Sequence, residues 1–127
     1  MCIRDSGYLA YIKPFRTIED LHVSAAILGY LARIAGRYEW PAAVRTELLT
    51  QVITMRTIAR VDYTAPEIHI AAAGALSALR SFLKTTEDCW EQVDTATRFT
   101  WQRDRALLDI SDAARAKRLA AAWQQFK

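Results

Sequence analysis

From Thr17 onward, the apolar positions of the chain fall into four helical runs. In the first, which extends to about Tyr38, Leu21, Ala25, Leu28, Ala32 and Ala35 form one line and Val23, Ile27, Leu31 and Ile34 a second beside it. Two adjacent lines predict a helix buried on two sides. Gly29 within it costs ~1 kcal/mol of helix propensity and predicts close approach of another helix. Trp40-Pro41 marks a junction, with Pro41 suited to a first helical turn. The second helix, ending near Asp62, is one-sided: Val44, Leu48, Val52, Met55 and Ala59 face inward, opposite Arg45, Thr46, Thr50, Thr54, Thr57 and Arg60. Thr64-Ala-Pro-Glu67 reads as a capping box that opens a third helix running to about Leu83. From Ile68 to Leu79 that helix carries only His69 as a titratable group, and Ala71 to Ala78 with Gly74 keep it thin. It is expected to be central and closely approached by its neighbours.

From Thr85 to Phe126 no Gly or Pro interrupts the pattern, and Trp90, Val93, Thr97, Trp101, Leu108, Ser111, Ala122 and Phe126 recur at helical steps. The reading is one continuous helix, about twice as long as any other segment. Trp90, Trp101 and Trp123 serve as its packing anchors. Asp104 falls on its apolar face, so it should be partly buried, paired with Arg115 or with Arg33 or Arg56 of another helix, and should fix register. Asp94 with Arg98 and Asp112 with Arg115 read as ordinary surface neighbours.

Ahead of these runs, Gly7–Arg16 reads as an extended lead-in, because Pro14 biases Lys13 away from helix. Thr17 then caps the first helix, placing Glu19 and Asp20 at the positive end of its dipole. The expected fold is all-α: an up-down four-helix bundle over 17–127, with a long C-terminal helix and a short extended N-terminal lead-in. Residues 1–6, MCIRDS, resemble translated read-through of a sequencing adapter, so 1–16 is expected to be a non-native leader plus the lead-in.

Composition narrows the function classes. At 127 residues with 52% hydrophobic and 24% charged residues, the chain is one globular domain in size. No apolar run approaches the roughly 20 residues of a membrane span. The +3 charge arises from 17 basic and 14 acidic residues spread along the chain, not clustered as a nucleic-acid stripe would be. Two Cys, at 2 and 89, make no disulfide framework, and a cytoplasmic setting follows. Cys89 has acidic neighbours that raise its pKa, and no Gly-rich phosphate loop or serine elbow is present. Glu19-Asp-Leu-His22 puts a Glu and a His on one helix face, as in di-iron bundles, but the second such pair is missing, and no metal site is expected. Glu19 and Asp20, next to Arg16, Lys13 and Phe15, are the candidates for acid–base work.

With both ends read, KPFRTIEDLHV at 13–23 and WQRDRALLDISDAARAKRLAAAW at 101–123 together resemble the C-terminal helical domain of acyl-CoA dehydrogenase-like flavoproteins. The resemblance covers Gly7–Lys127. The family's Arg–x–x–Phe–Gly segment has no counterpart; after Ala35 the chain reads GRYEWP. The resemblance implies that a β-domain and an N-terminal helical domain precede this bundle, which would be inactive alone. In the intact protein it implies FAD, an acyl-CoA thioester substrate and a homo-oligomer. Glu19 is then the candidate catalytic base, with Arg16 and Lys13 as anion contacts for cofactor or substrate. Two other readings stand beside it: a ligand-binding and dimerisation module like the C-terminal part of a TetR-like regulator, and a stand-alone bundle.

Overall fold

The computed structural model describes residues 13–61, 65–109 and 112–126. Among them every regular element is helical: α1 (Lys13–Arg37), α2 (Ala42–Ala59), α3 (Pro66–Thr85), a 3₁₀ turn (Glu87–Gln92), α4 (Thr95–Asp104), a second 3₁₀ turn (Arg105–Leu108) and α5 (Asp112–Gln125). The all-α class is as expected. α1 packs most extensively on α2 and α3 on α5, while α3 also touches α1, α2 and the first 3₁₀ turn. α3 is therefore the element that links the two helix pairs.

α1 starts four residues earlier than expected. Its first turn contains Pro14, where a missing N–H costs nothing because no helical acceptor exists there. The extended lead-in is thus wrong for 13–16, and residues 7–12 lie outside the described residues. Thr17 sits in the second turn and cannot cap. It is buried, and its hydroxyl shares a 2.8 Å hydrogen bond with His69 Nδ1 on α3. No acidic residue falls in the first turn, so the dipole placement of Glu19 and Asp20 does not hold.

Of the two apolar lines of α1, Leu21, Ile27, Leu28, Leu31, Ile34 and Ala35 lie in the core, Ala25 and Ala32 pack half-buried against it, and Val23 is exposed. α2 contributes Leu48 and Met55, together with a buried Gln51 whose amide donates to Glu47 Oε1 at 3.0 Å. α3 contributes Ala72, Leu76, Leu79 and Leu83. Its cap residue is Ala65, with no side-chain cap bond; Thr64 of the expected capping box lies outside the described residues. Gly29 and Gly74 do not mark close helix approaches, because a Cβ added at either would meet nothing within 4 Å.

The largest correction concerns the last third. Thr85 belongs to α3, and the described residues after it fall into separate short helical pieces, not one long helix. Thr86 ends α3, donating from its hydroxyl to Leu83 O at 2.8 Å. Val93 is extended, and Asp94 caps α4 by accepting from the Thr97 backbone N–H at 2.9 Å. Asp94 is thus a cap, not the partner of Arg98. In a continuous helix Trp90 and Trp101 would be about 16 Å apart along the axis. The break at Val93–Asp94 folds them together, with ring centroids 5.4 Å apart and planes nearly parallel. Trp40 meets Trp90 edge-on at 5.2 Å. Trp90 and Trp101 are anchors as expected; Trp123 is not, being half exposed against Phe126. Asp104 is not a register lock either: its side chain is 37% exposed and pairs with its neighbour Arg103 at 2.9 Å.

Candidate functional site

The densest polar cluster lies where α1, α3 and α5 converge. Asp20, one turn along α1 from Arg16, points into this junction with its side chain 17% exposed. Arg115 and Arg118, three apart and so on one face of α5, both reach it. Arg115 Nε donates to Asp20 Oδ2 at 3.1 Å, and Arg118 Nη2 donates to the same oxygen. The two arginine side chains are 15% and 10% exposed. Beside this triad stand Thr17 and His69, and together they line a hollow of about 20 Å³, close to the space one water needs.

Arg115 makes a second attachment. Its Nη1 donates to Leu108 O at 2.7 Å, and Arg80 Nη2 of α3 donates to the same carbonyl at 2.6 Å. A continuous helix would have given that carbonyl to a backbone N–H four residues on. Two guanidiniums take it instead, which satisfies the end of the second 3₁₀ turn. Arg80 also pairs with Asp109 at 3.4 Å. One carboxylate and one carbonyl thus hold three arginines from two helices.

The residues read from sequence as a site are placed differently. Glu19 and Arg16 are both exposed, and neither makes a side-chain hydrogen bond or ion pair with a described residue. Neither lines any of the described concavities. Lys13 opens α1, and its side chain lies outside the described residues. Asp20, not Glu19, is the carboxylate held in a cluster. Its arginine partners had one visible signal, the Arg-x-x-Arg spacing of Arg115 and Arg118. His22 is exposed, and no group of three His, Cys, Asp or Glu that could hold a metal occurs among the described residues. Burial, and then the Asp88 carboxylate, push the Cys89 thiol above its ordinary value, so it is a poor nucleophile.

The cluster binds helices together; it holds no unengaged acid or base. Asp20 Oδ2 already accepts from two donors, and a guanidinium does not exchange protons near neutrality. Its chemistry is positional: it sets where α5 sits against α1. Comparisons with family models, with curated proteins and with solved structures return no match.

Proposed function

We propose that this chain is the C-terminal helical domain of an acyl-CoA dehydrogenase-like flavoprotein, acting as the packing and assembly part of a larger enzyme. One observation carries the reading. The two stretches that bear the resemblance, 13–23 and 101–123, lie far apart in sequence, yet Asp20 of the first is clamped by Arg115 and Arg118 of the second. Residues whose pattern suggested one domain are thus the residues that join its first and last helices.

Apolar side chains remain exposed on several elements. Leu49 and Ile53, one turn apart on α2, are 57% and 64% exposed, and Phe99, Trp123 and Phe126 are also open. Such surface suits contact with the preceding domains of the same chain and with further copies. Among the described residues, Glu19 lines no pocket. In the assembled protein FAD would accept hydride from an acyl thioester. Glu19 is the residue offered there as base, with Arg16 and Lys13 as anion contacts, and the exposure of Glu19 and Arg16 leaves both available to a neighbouring domain. No described helix is long and apolar enough to cross a membrane, and a cytoplasmic setting belongs to the same proposal.

The test is to purify the full-length gene product and record its flavin absorbance and thioester-dependent bleaching. A yellow oligomer bleached by an acyl-CoA is the expected result. A colourless full-length protein, or a basic helix-turn-helix encoded upstream, would overturn the reading in favour of the regulator module.

A further inference from the structure

α1 and α2 each carry a stripe of the same spacing. On α1 it is His22, Ala26, Gly29 and Arg33; on α2 it is Leu49, Ile53, Arg56 and Arg60. Positions so spaced share one side of a helix, so each set is a continuous line. The two helices are joined by residues 38–41 and pack most extensively on each other, so they run antiparallel. Gly36, near the end of α1, accordingly lies close to Arg45, near the start of α2. His22 therefore stands near the level of Arg56 and Arg60, with Arg33 toward the Leu49 end. A groove of about 970 Å³ is lined by the whole α1 stripe and by Arg56 and Arg60. Leu49 and Ile53 continue the α2 stripe beyond it.

The fold leaves this side unpaired. Arg33, Arg56 and Arg60 are exposed, and none makes an ion pair or side-chain hydrogen bond among the described residues. The described lining of the groove contains no Asp or Glu. Leu49 and Ile53 are both more than half exposed. Beside them the Thr50 and Thr54 hydroxyls donate to the Thr46 and Thr50 carbonyls at 2.9 and 2.8 Å. That edge of α2 can thus be covered without orphaning a hydroxyl. Gly29 lowers the helix propensity of α1, yet a Cβ there would meet nothing within 4 Å. Its smallness serves no contact among the described residues.

We propose that these two stripes dock an acidic amphipathic helix of a partner protein. Its apolar row lies on Leu49 and Ile53, and its carboxylates face the three arginines. Charge complementarity names this occupant. Arg33 is eleven residues from His22, ~16 Å along α1, so the positive charge is spread over about three turns. Carboxylates repeated at successive turns of a helix match that spread. Ala26 and Gly29 let the incoming backbone come close, whereas a flat lipid surface would meet only the crest of α2. The inference goes beyond the flavoprotein reading and uses none of Lys13, Arg16 or Glu19.

The experiment is a fluorescence-anisotropy titration of the chain, and of the full-length gene product, with a labelled synthetic peptide. The peptide is about five turns long, with Leu along one stripe and Glu along its edge. An isomer of the same composition in scrambled order is the control. Saturable binding to the first, about tenfold or more tighter than to the second, is expected. Arg33→Gln should weaken it about tenfold, and so should Arg56→Gln combined with Arg60→Gln. Ile53→Asn should weaken it as well, while Trp123→Ala leaves it unchanged. Gly29→Leu should fill the floor and abolish binding; should that variant fold poorly, the exposed arginine variants still decide the matter. Equal binding of the scrambled isomer, or binding unchanged in the arginine variants, overturns the proposal. So does binding to phosphatidylserine vesicles without binding to the peptide, or self-association of the chain that the arginine variants abolish. Binding to this chain but not to the full-length product would give the groove to the preceding domains and overturn a separate partner. A colourless full-length protein that binds the peptide would end the flavoprotein reading and keep this one.

Discussion

Asp20 on α1 and Arg118 on α5, 98 positions apart, form an ion pair with side chains only 17% and 10% exposed. Arg115 shares the same carboxylate oxygen. Removing the carboxylate would leave two guanidiniums facing each other in a poorly hydrated junction. Full burial of such a lesion costs ~3–5 kcal/mol, and the remaining access of water should bring Asp20→Ala to about 2–3 kcal/mol. Urea denaturation measures it. A double-mutant cycle of Asp20→Ala with Arg118→Ala should show coupling of at least ~1 kcal/mol. Strict additivity would mean that the pair does not hold α5 in place.

What could be read ahead of the structure followed physical rules that act locally. The stripes of α1 and α2 were legible because burial alternates with helical period, and Leu21, Leu28, Leu48 and Met55 are all buried. In the last third, absence of Gly and Pro does not mean continuity. The stop is written in Val93-Asp94-Thr95-Ala96-Thr97, where Asp94 caps a new helix. Asp104 loses its expected role for the same reason, whereas Asp20 loses its own because α1 begins at Lys13 and carries it beyond the first turn. Once the long helix breaks, the face that would have buried Asp104 no longer exists.

Gly74 gives a prediction opposite in sign to the one its sequence context suggests. Amid Ala71–Ala78 it reads as a contact glycine whose enlargement would overpack the core. In the fold it is exposed, inside α3, with nothing within 4 Å of an added Cβ. Gly74→Ala should therefore stabilise the protein by ~0.5–1 kcal/mol, through helix propensity and a less flexible unfolded chain. A lowered thermal midpoint would show that α3 is approached there after all.

The tryptophan stack should separate the two kinds of Trp in the last third. Trp101 is 3% exposed and stacked on Trp90, so Trp101→Ala should cost ~3–5 kcal/mol and abolish much of the near-ultraviolet circular dichroism. Trp123 is 51% exposed and touches Phe126 edge-on. Trp123→Ala should cost less than about 1.5 kcal/mol. Equal losses would contradict the assignment of Trp101 to the core.

Asp94 supplies a pH signature. The Thr97 hydroxyl, the Tyr38 hydroxyl and the Thr97 backbone N–H all donate to its carboxylate and hold it well below the usual carboxylate range. A folded-state pKa below the unfolded value of ~3.9 means that the stabilisation is present above that value and is lost as pH falls beneath it. The charged side chain also faces the N-terminus of α4, where its sign is favourable. The thermal midpoint of Asp94→Ala should therefore lie below that of the unmodified chain at neutral pH, and the gap should narrow steadily below about pH 4. Tyr38→Phe removes one of the donors and should reproduce part of the neutral-pH loss. A gap that stays constant from pH 7 into the acid range would mean that Asp94 caps α4 by shape alone, with its charge contributing nothing.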